Sequence, residues 1–361
     1  MNDKVTLMKG NEALAMAMIR YGADGYFGYP ITPQSEVLEK LEEEMPWDTT
    51  GMVVLQAESE VAAINMVYGG AMTGKAVCTS TSSPGFSLMQ EGVSYLAASE
   101  VPALLINVQR GGPGLGTIHA SQADYFQACK GGGHGDYHMI VLAPSSVQEM
   151  ADMVALGFDL AFKYRCVSMI LADGTSGQLM EKVVLPEQRP RRTDDEIRKQ
   201  CPWAVNGRKG MRPSNVVTSL ELDDDKMEEN NWRFQACYRE IEKNETRCEL
   251  IDVEDCDYLI TAFGTTARVA MKTMELARAE GIKVGMFRPI TLWPFPEKQL
   301  REAAKNVKGI LCVELNAGQM VEDVKLAVEC KMPVEHYGRF GGNVPTPDEL
   351  LNVLKEKLIN K

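Results

Sequence analysis

A chain of 361 residues with 45% hydrophobic content is long enough for two domains, each burying its own core. Its net charge of −12 excludes the basic footprint that nucleic acid demands, and no apolar run approaches the ~18 residues that cross a bilayer. The start MNDKVTLMKGNEA lacks a secretory leader's pattern, and nine cysteines without a C-x-x-C pair predict a cytoplasmic protein carrying no disulfide framework, iron–sulfur cluster or structural zinc.

Over residues 11–173 strand-like apolar runs alternate with helix-period runs, the pattern of a doubly wound, mostly parallel α/β sheet. Asn11 can cap a first helix, EALAMAMIRY, closed by Gly22. GYFGY reads as a strand, and Thr32 before Pro33 as the N-cap of the helix PQSEVLEKLEEEM. The strand MVVLQ leads into SEVAAINMVYGGAM, a helix with so few charges that it must be buried. KAVCTST and VPALLINV are strands flanking the helix GFSLMQEGVSYLAAS. MIVLA, the amphipathic helix SVQEMADMVALGFDLAFKY and CVSMILA complete a first domain of six strands, residues 1–185.

Residues 186–254 turn charged and turn-forming, a stretch too long for a bare loop, which predicts an ordered connector with a helix near 223–243. A smaller α/β domain follows at 255–361. Its strands DYLITAFG, KVGMFRPI and KGILCVEL alternate with the helices TTARVAMKTMELARAEG, PEKQLREAAKNV and AGQMVEDVKLAVEC. The last helix opens on a capping box of Thr346 and Glu349, with Pro347 at its first position.

GGAMTGKA, residues 69–76, nearly matches a phosphate loop, but Ala76 cannot ligate magnesium and the glycines end a helix instead of following a strand. GGPGLG, residues 111–116, follows a strand without opening a helix, and reads as a loop at the carboxyl edge of the sheet. KGGGHGDYH, residues 130–138, holds two of the four histidines; a pocket wall and a structural turn both fit it. Glu60 opens the apolar helix. It either complements the helix dipole, worth ~0.3–1 kcal/mol, or serves as an acid or hydrogen-bond partner in a low-dielectric site. Arg110 ends another strand. Because Thr32, Glu60 and Arg110 each follow a different strand, a doubly wound sheet would bring them to one cleft. The competing reading is a non-catalytic nucleotide or coenzyme A binding module using residues 69–75 or 111–116.

GYPITPQSE, QAESEVAAINMVYGGA, SPGFSLMQEGVSYLA, VQRGGPGLGT, KGGGHGDY with IVLAPSSVQEM, and FRPITLWPFP, in this order, resemble the 2-oxoacid:ferredoxin oxidoreductases. These are thiamine-diphosphate enzymes that decarboxylate a 2-oxoacid, pass the acyl group to coenzyme A and give electrons to ferredoxin. The resemblance covers nearly the whole chain. It is greatest to the 2-oxoisovalerate (3-methyl-2-oxobutanoate) subunit with a pyrimidine-binding domain and a transketolase-C-terminal-like domain; the 2-oxoglutarate enzyme is the alternative. The resemblance implies that Glu60 bonds N1′ of the cofactor's aminopyrimidine, with Tyr29 and Pro30 beside the cofactor. It implies that Thr32 and Arg110 face the substrate, with His134 a further candidate. The G-D-G motif that normally holds the diphosphate and magnesium is missing, ADGT at 172–175 being its nearest approach. Half an active site is therefore implied. Thiamine diphosphate and Mg2+ would be anchored on a partner subunit, the iron–sulfur clusters would lie on a ferredoxin-like subunit, and the assembly would be a dimer of heteromers.

Overall fold

The computed structural model describes residues 5–360 except 209 and 211. Its strands are β1 (Val5–Lys9), β2 (Gly25–Gly28), β3 (Val53–Gln56), β4 (Val77–Thr81), β5 (Ala103–Gln109), β6 (Ile140–Leu142), β7 (Val167–Asp173), β8 (Met180–Val184), β9 (Cys248–Ile251), β10 (Tyr258–Thr261), β11 (Val284–Pro289), β12 (Thr291–Trp293), β13 (Gly309–Glu314) and β14 (Val334–Gly338). They form a large sheet in the order β12-β6-β7-β5-β4-β2-β3, a second in the order β14-β13-β10-β11-β9, and the ribbon β1-β8. Only β12 on β6, β9 on β11 and β1 on β8 run antiparallel. Every residue of β5 and β7 is buried, as expected of central strands covered on both faces.

All six strands expected in the first sheet are present. The seventh, β12, arrives from far along the chain and was not anticipated, because three residues carry no periodic signal. It is held by an aromatic cluster: Trp293 stacks on His138 with ring centres 4.5 Å apart, and Tyr238 meets both rings edge-on. The strands β1, β8, β9 and β14 were also missed; β1 and β9 expose part of their apolar side chains, which blurs alternation.

Two expected helix caps are corrected. The first helix, Gly10–Tyr21, takes Lys9 as its N-cap, and the backbone N–H of Lys9 donates to Glu12 at 2.8 Å. The amide of Asn11 instead donates to the Pro33 carbonyl at 2.7 Å and to the Glu36 carboxylate at 3.0 Å. The helix Ser35–Glu44 is preceded by Gln34, not Thr32, since residues 32–34 form a turn with a cis Thr32–Pro33 peptide. Gly22 does close the first helix, at φ +82°. The capping box of Thr346 and Glu349 opens the helix Pro347–Leu354 as expected. Gly69 to Met72 lie at the end of the helix Glu60–Met72, not in a phosphate loop.

The chain passes from β2 outward to β3, then back across β2 to β4 on its other side. The sheet thus changes direction between β2 and β4, and the crevice at such a switch point is where open α/β sheets receive ligands. Up to Glu245 the connector lies against the large-sheet unit, and its end, β9, joins the second sheet. Arg191 and Arg192 converge on the buried Asp24, and a 21-residue helix spans Asp224–Asn244, close to its expected place. The two sheets are tied by Asp173, whose carboxylate accepts from Thr175 N, Ser176 N, Thr265 N and Thr265 Oγ1 at 2.7–3.1 Å. ADGT therefore docks one sheet on the other.

The connector ends on an ionic cluster with a measurable pH signature. Glu245 is 3% exposed and accepts from Lys163 Nζ, Tyr164 Oη and Arg247 Nη2 at 2.6–2.7 Å. Burial pushes its carboxyl up, but these donors outweigh it and bring it down to about 2 from 4.5. A depressed carboxyl stabilises the fold fully above its unfolded value, and that contribution, of order 3 kcal/mol, is lost as pH falls from about 4.5 to about 2. Unfolding of the wild type and of Glu245→Gln compared across pH should show the largest gap above pH 4.5, closing toward pH 2. A pH-independent gap would contradict this assignment.

Candidate active site

The carboxyl ends of β5, β4, β2 and β3 lie side by side, and each carries a polar residue. Arg110 follows β5, Ser83 and Gly85 follow β4, Thr32 follows β2, and Glu60 follows β3. The turn after β2 is fixed from beneath. Tyr26 donates to Ser80 Oγ at 2.7 Å, Ser80 donates to Gln34 Oε1 at 2.6 Å, and Gln34 donates to the Tyr29 carbonyl at 3.3 Å. Gly28 leaves room for this chain, since a Cβ there would run into the Tyr26 hydroxyl. From the side, Asn11 and Gln178 both donate to the Pro33 carbonyl. Tyr29 and Pro30 are thereby held half-buried, while the Thr32 side chain is exposed at the tip.

Arg110 reaches this turn from two strands away. It is 8% exposed, and its Nη1 donates to the Thr32 carbonyl at 2.9 Å. Its Nε is buried without a partner among the described residues. Such an orphaned donor costs about 1–3 kcal/mol and marks a group awaiting an acceptor.

Glu60 is the first residue of the helix Glu60–Met72, behind Ser59, whose hydroxyl accepts from Ala62 N at 3.2 Å. Although Glu60 is only 6% exposed, its carboxylate has no hydrogen-bond partner among the described residues. The neighbouring helix Ser83–Ala98 approaches it through Gly85. A Cβ at that position would run into Thr81 Oγ1 and stand 2.5 Å from Glu60 Oε1. The same helix touches Arg110 at its other corner, where Ser83 Oγ accepts from Arg110 N at 3.0 Å. Thr32, Arg110 and Glu60 are thus gathered at one sheet edge, with the first turn of one helix between them.

His134 is not part of this gathering. It lines a cleft with Ser94, Tyr95, Met227, Asn231 and Phe234, against the connector helix. Ser94 is nine residues beyond Gly85 on the helix, which at 1.5 Å per residue is roughly 14 Å along its axis. Sequence reasoning missed Ser83, Gly85 and Thr81. The available signal was the run TSTSSPG, in which hydroxyls, a proline and a glycine follow a buried strand directly.

The sequence matches the family model described as pyruvate flavodoxin/ferredoxin oxidoreductase, thiamine diphosphate-binding, over residues 16–244. It also matches pyruvate:ferredoxin oxidoreductase core domain II over residues 256–350. It is 47% identical to the ketoisovalerate oxidoreductase subunit VorB of Methanothermobacter marburgensis, covering 97% of each chain. To the 2-oxoglutarate synthase subunit KorA of the same organism it is 35% identical, over 96% of this chain and 97% of that one. Among solved structures, the 2-oxoglutarate:ferredoxin oxidoreductase of Magnetococcus marinus, with 2-oxoglutarate, coenzyme A and succinyl-CoA bound, superposes with a TM-score of 0.82 at 28% identity. That match covers 98% of this chain, which spans 65% of the solved one. A split-gene transketolase shares the fold at a TM-score of 0.60 and 13% identity, over 97% of this chain and 98% of that one. The chain belongs to the 2-oxoacid:ferredoxin oxidoreductase family and is a subunit of an oxidoreductase.

Proposed function

We propose that this subunit supplies the pyrimidine-facing half of a thiamine-diphosphate site that oxidatively decarboxylates a branched-chain 2-oxoacid, 2-oxoisovalerate, to its acyl-CoA. The observation that carries the reading is Glu60, a residue 6% exposed whose carboxylate has no hydrogen-bond partner among the described residues, at the switch-point edge of the sheet. These residues fit the pyrimidine end of the cofactor, because the Glu60 carboxylate lies against Gly85 with its hydrogen-bonding capacity unused among the described residues. Because the sequence lacks a G-D-G motif, a partner subunit is proposed to anchor the diphosphate and Mg2+, and a ferredoxin-like subunit to carry the iron–sulfur clusters toward ferredoxin. The division at 1–185, 186–254 and 255–361 is part of this reading; β2 to β7 of the large sheet precede the connector and β10, β11, β13 and β14 of the second sheet follow it, while β9 lies within it and β12 crosses to the large sheet.

Bound thiamine diphosphate supplies the electron sink on which a 2-oxoacid can lose carbon dioxide. With the cofactor bound, Glu60 would hold N1′ of the aminopyrimidine through a shared proton. Arg110 presents its free Nε edge to the substrate carboxylate, a geometry only a guanidinium offers. The Thr32 hydroxyl, carried on a turn locked by Asn11, Gln34 and Gln178, adds one directed donor. His134, on the loop before β6, lies beside Ser94 and is not part of these contacts. Cytoplasmic assembly as a dimer of heteromers is proposed, and nine free cysteines support a reducing compartment. Among the described residues no helix is long and apolar enough to cross a membrane.

The test is a substrate screen of the reconstituted complex. 2-Oxoisovalerate should give the highest kcat/KM, above 2-oxoglutarate, pyruvate and arylpyruvates. A preference for 2-oxoglutarate would overturn the branched-chain assignment. The greater identity to the ketoisovalerate subunit is what favours the first substrate.

A further inference from the structure

The second sheet's unit grips the segment that supports Arg110. Residues 121–126 run along residues 315–323 and are sewn to them at many points. Gln122 N donates to Leu315 O at 3.1 Å, and Gln122 Oε1 accepts from Leu315 N at 3.0 Å. Asn316 Nδ2 donates to Gln122 O at 2.7 Å. Gln319 donates to Ala123 O at 2.8 Å and accepts from Phe126 N at 2.7 Å. Tyr125 Oη donates to Asp323 at 2.6 Å. The backbone on both sides of Asp124 is therefore fixed by the other unit.

Asp124 itself points the opposite way, toward the site. Its Oδ2 accepts from Ser83 Oγ at 2.6 Å and from Asn107 Nδ2 at 2.8 Å, and its N–H donates to Gln109 Oε1 at 3.1 Å. Ser83 has one proton. The short, charge-assisted bond to Asp124 claims it and turns the hydroxyl's lone pairs toward Arg110 N, 3.0 Å away. Without the carboxylate, the hydroxyl would re-aim to the Arg110 carbonyl at 3.3 Å. From these contacts we infer that Asp124 and Ser83 are positioning residues, forming a relay through which the second unit sets Arg110 against the 2-oxoacid carboxylate. The inference rests on the reading of Arg110 as the carboxylate-binding residue.

The relay predicts a defect in substrate binding and not in chemistry. In the reconstituted complex, Asp124→Asn and Ser83→Ala should each raise KM for the 2-oxoacid about tenfold, the effect of misplacing one hydrogen bond. kcat and KM for coenzyme A should stay within about twofold. Ser83→Ala deletes one oxygen and keeps the question open to assay if Asp124→Asn misfolds. The double variant should be no worse than either single one, because both act through one path. Gln319→Ala, which cuts two of the stitches, should raise the same KM by a smaller factor. Unchanged KM in any of these variants, a loss confined to kcat, or additive effects in the double variant overturns the relay. Arg110→Ala separates the two claims. If it raises KM while Asp124→Asn and Ser83→Ala do not, only the relay fails; if it leaves KM unchanged, the reading of Arg110 fails and the relay with it.

Discussion

Glu60→Gln in the reconstituted complex is expected to lower 2-oxoacid oxidation by about 10²–10⁴-fold, the range for removing a positioned proton-transfer group. Assembly should be unaffected, because the side chain makes no hydrogen bond that holds the fold. Stability supplies an independent readout. Glutamine keeps the size of a side chain that makes no hydrogen bond among the described residues and removes only a charge at the helix N-terminus, worth ~0.3–1 kcal/mol. The variant's Tm should therefore stay within about 2–4 °C of the wild type. A Tm lower by several degrees would mean that Glu60 is a structural group, and the functional reading would lose its main support.

The second large effect belongs to Gly85→Ala. Gly85 is the third residue of the helix Ser83–Ala98, where alanine, which loses less backbone entropy, is ordinarily favoured by up to about 0.5–1 kcal/mol. Here the new methyl group would collide with Thr81 Oγ1 and stand 2.5 Å from Glu60 Oε1. Real Cβ atoms do not come so close, so something must yield. The Glu60 carboxyl is the far end of a flexible side chain, and it moves more easily than the helix backbone. Activity should fall nearly as far as in Glu60→Gln, on the order of a hundredfold or more, while the helix survives. Circular dichroism and steady-state assays on the same preparation check both halves. An active Gly85→Ala complex would show that the carboxylate does not work from this position.

Much of the architecture was legible because buried parallel strands announce themselves as apolar runs. The placement of Thr32, Glu60 and Arg110 at one edge followed from the alternation of strands and helices alone. What stayed hidden was the tertiary use of polar side chains. Asn11 and Thr32 both carry good capping chemistry, yet the amide of Asn11 is taken up by Pro33 and Glu36 across the fold. ADGT looks like the remnant of a phosphate motif, and only the structure reveals Asp173 bonded to Thr265, at the start of the helix Gly264–Ala279 in the second unit. Ser83 and Asp124 are separated by 41 positions, a pairing no local pattern can announce. β12 was invisible for a related reason, since its partner β6 lies about 150 positions earlier in the chain and the strand is three residues long.

The central claim is that Glu60, on this subunit, activates a cofactor anchored on another. Hydrogen–deuterium exchange at C2 of thiamine diphosphate, followed by NMR in complexes built from wild-type or Glu60→Gln subunit and the same partner, tests it most directly. Both complexes should bind the cofactor, and the Glu60→Gln complex should exchange C2 at least about a hundredfold more slowly. Equal exchange rates in the two complexes would contradict it.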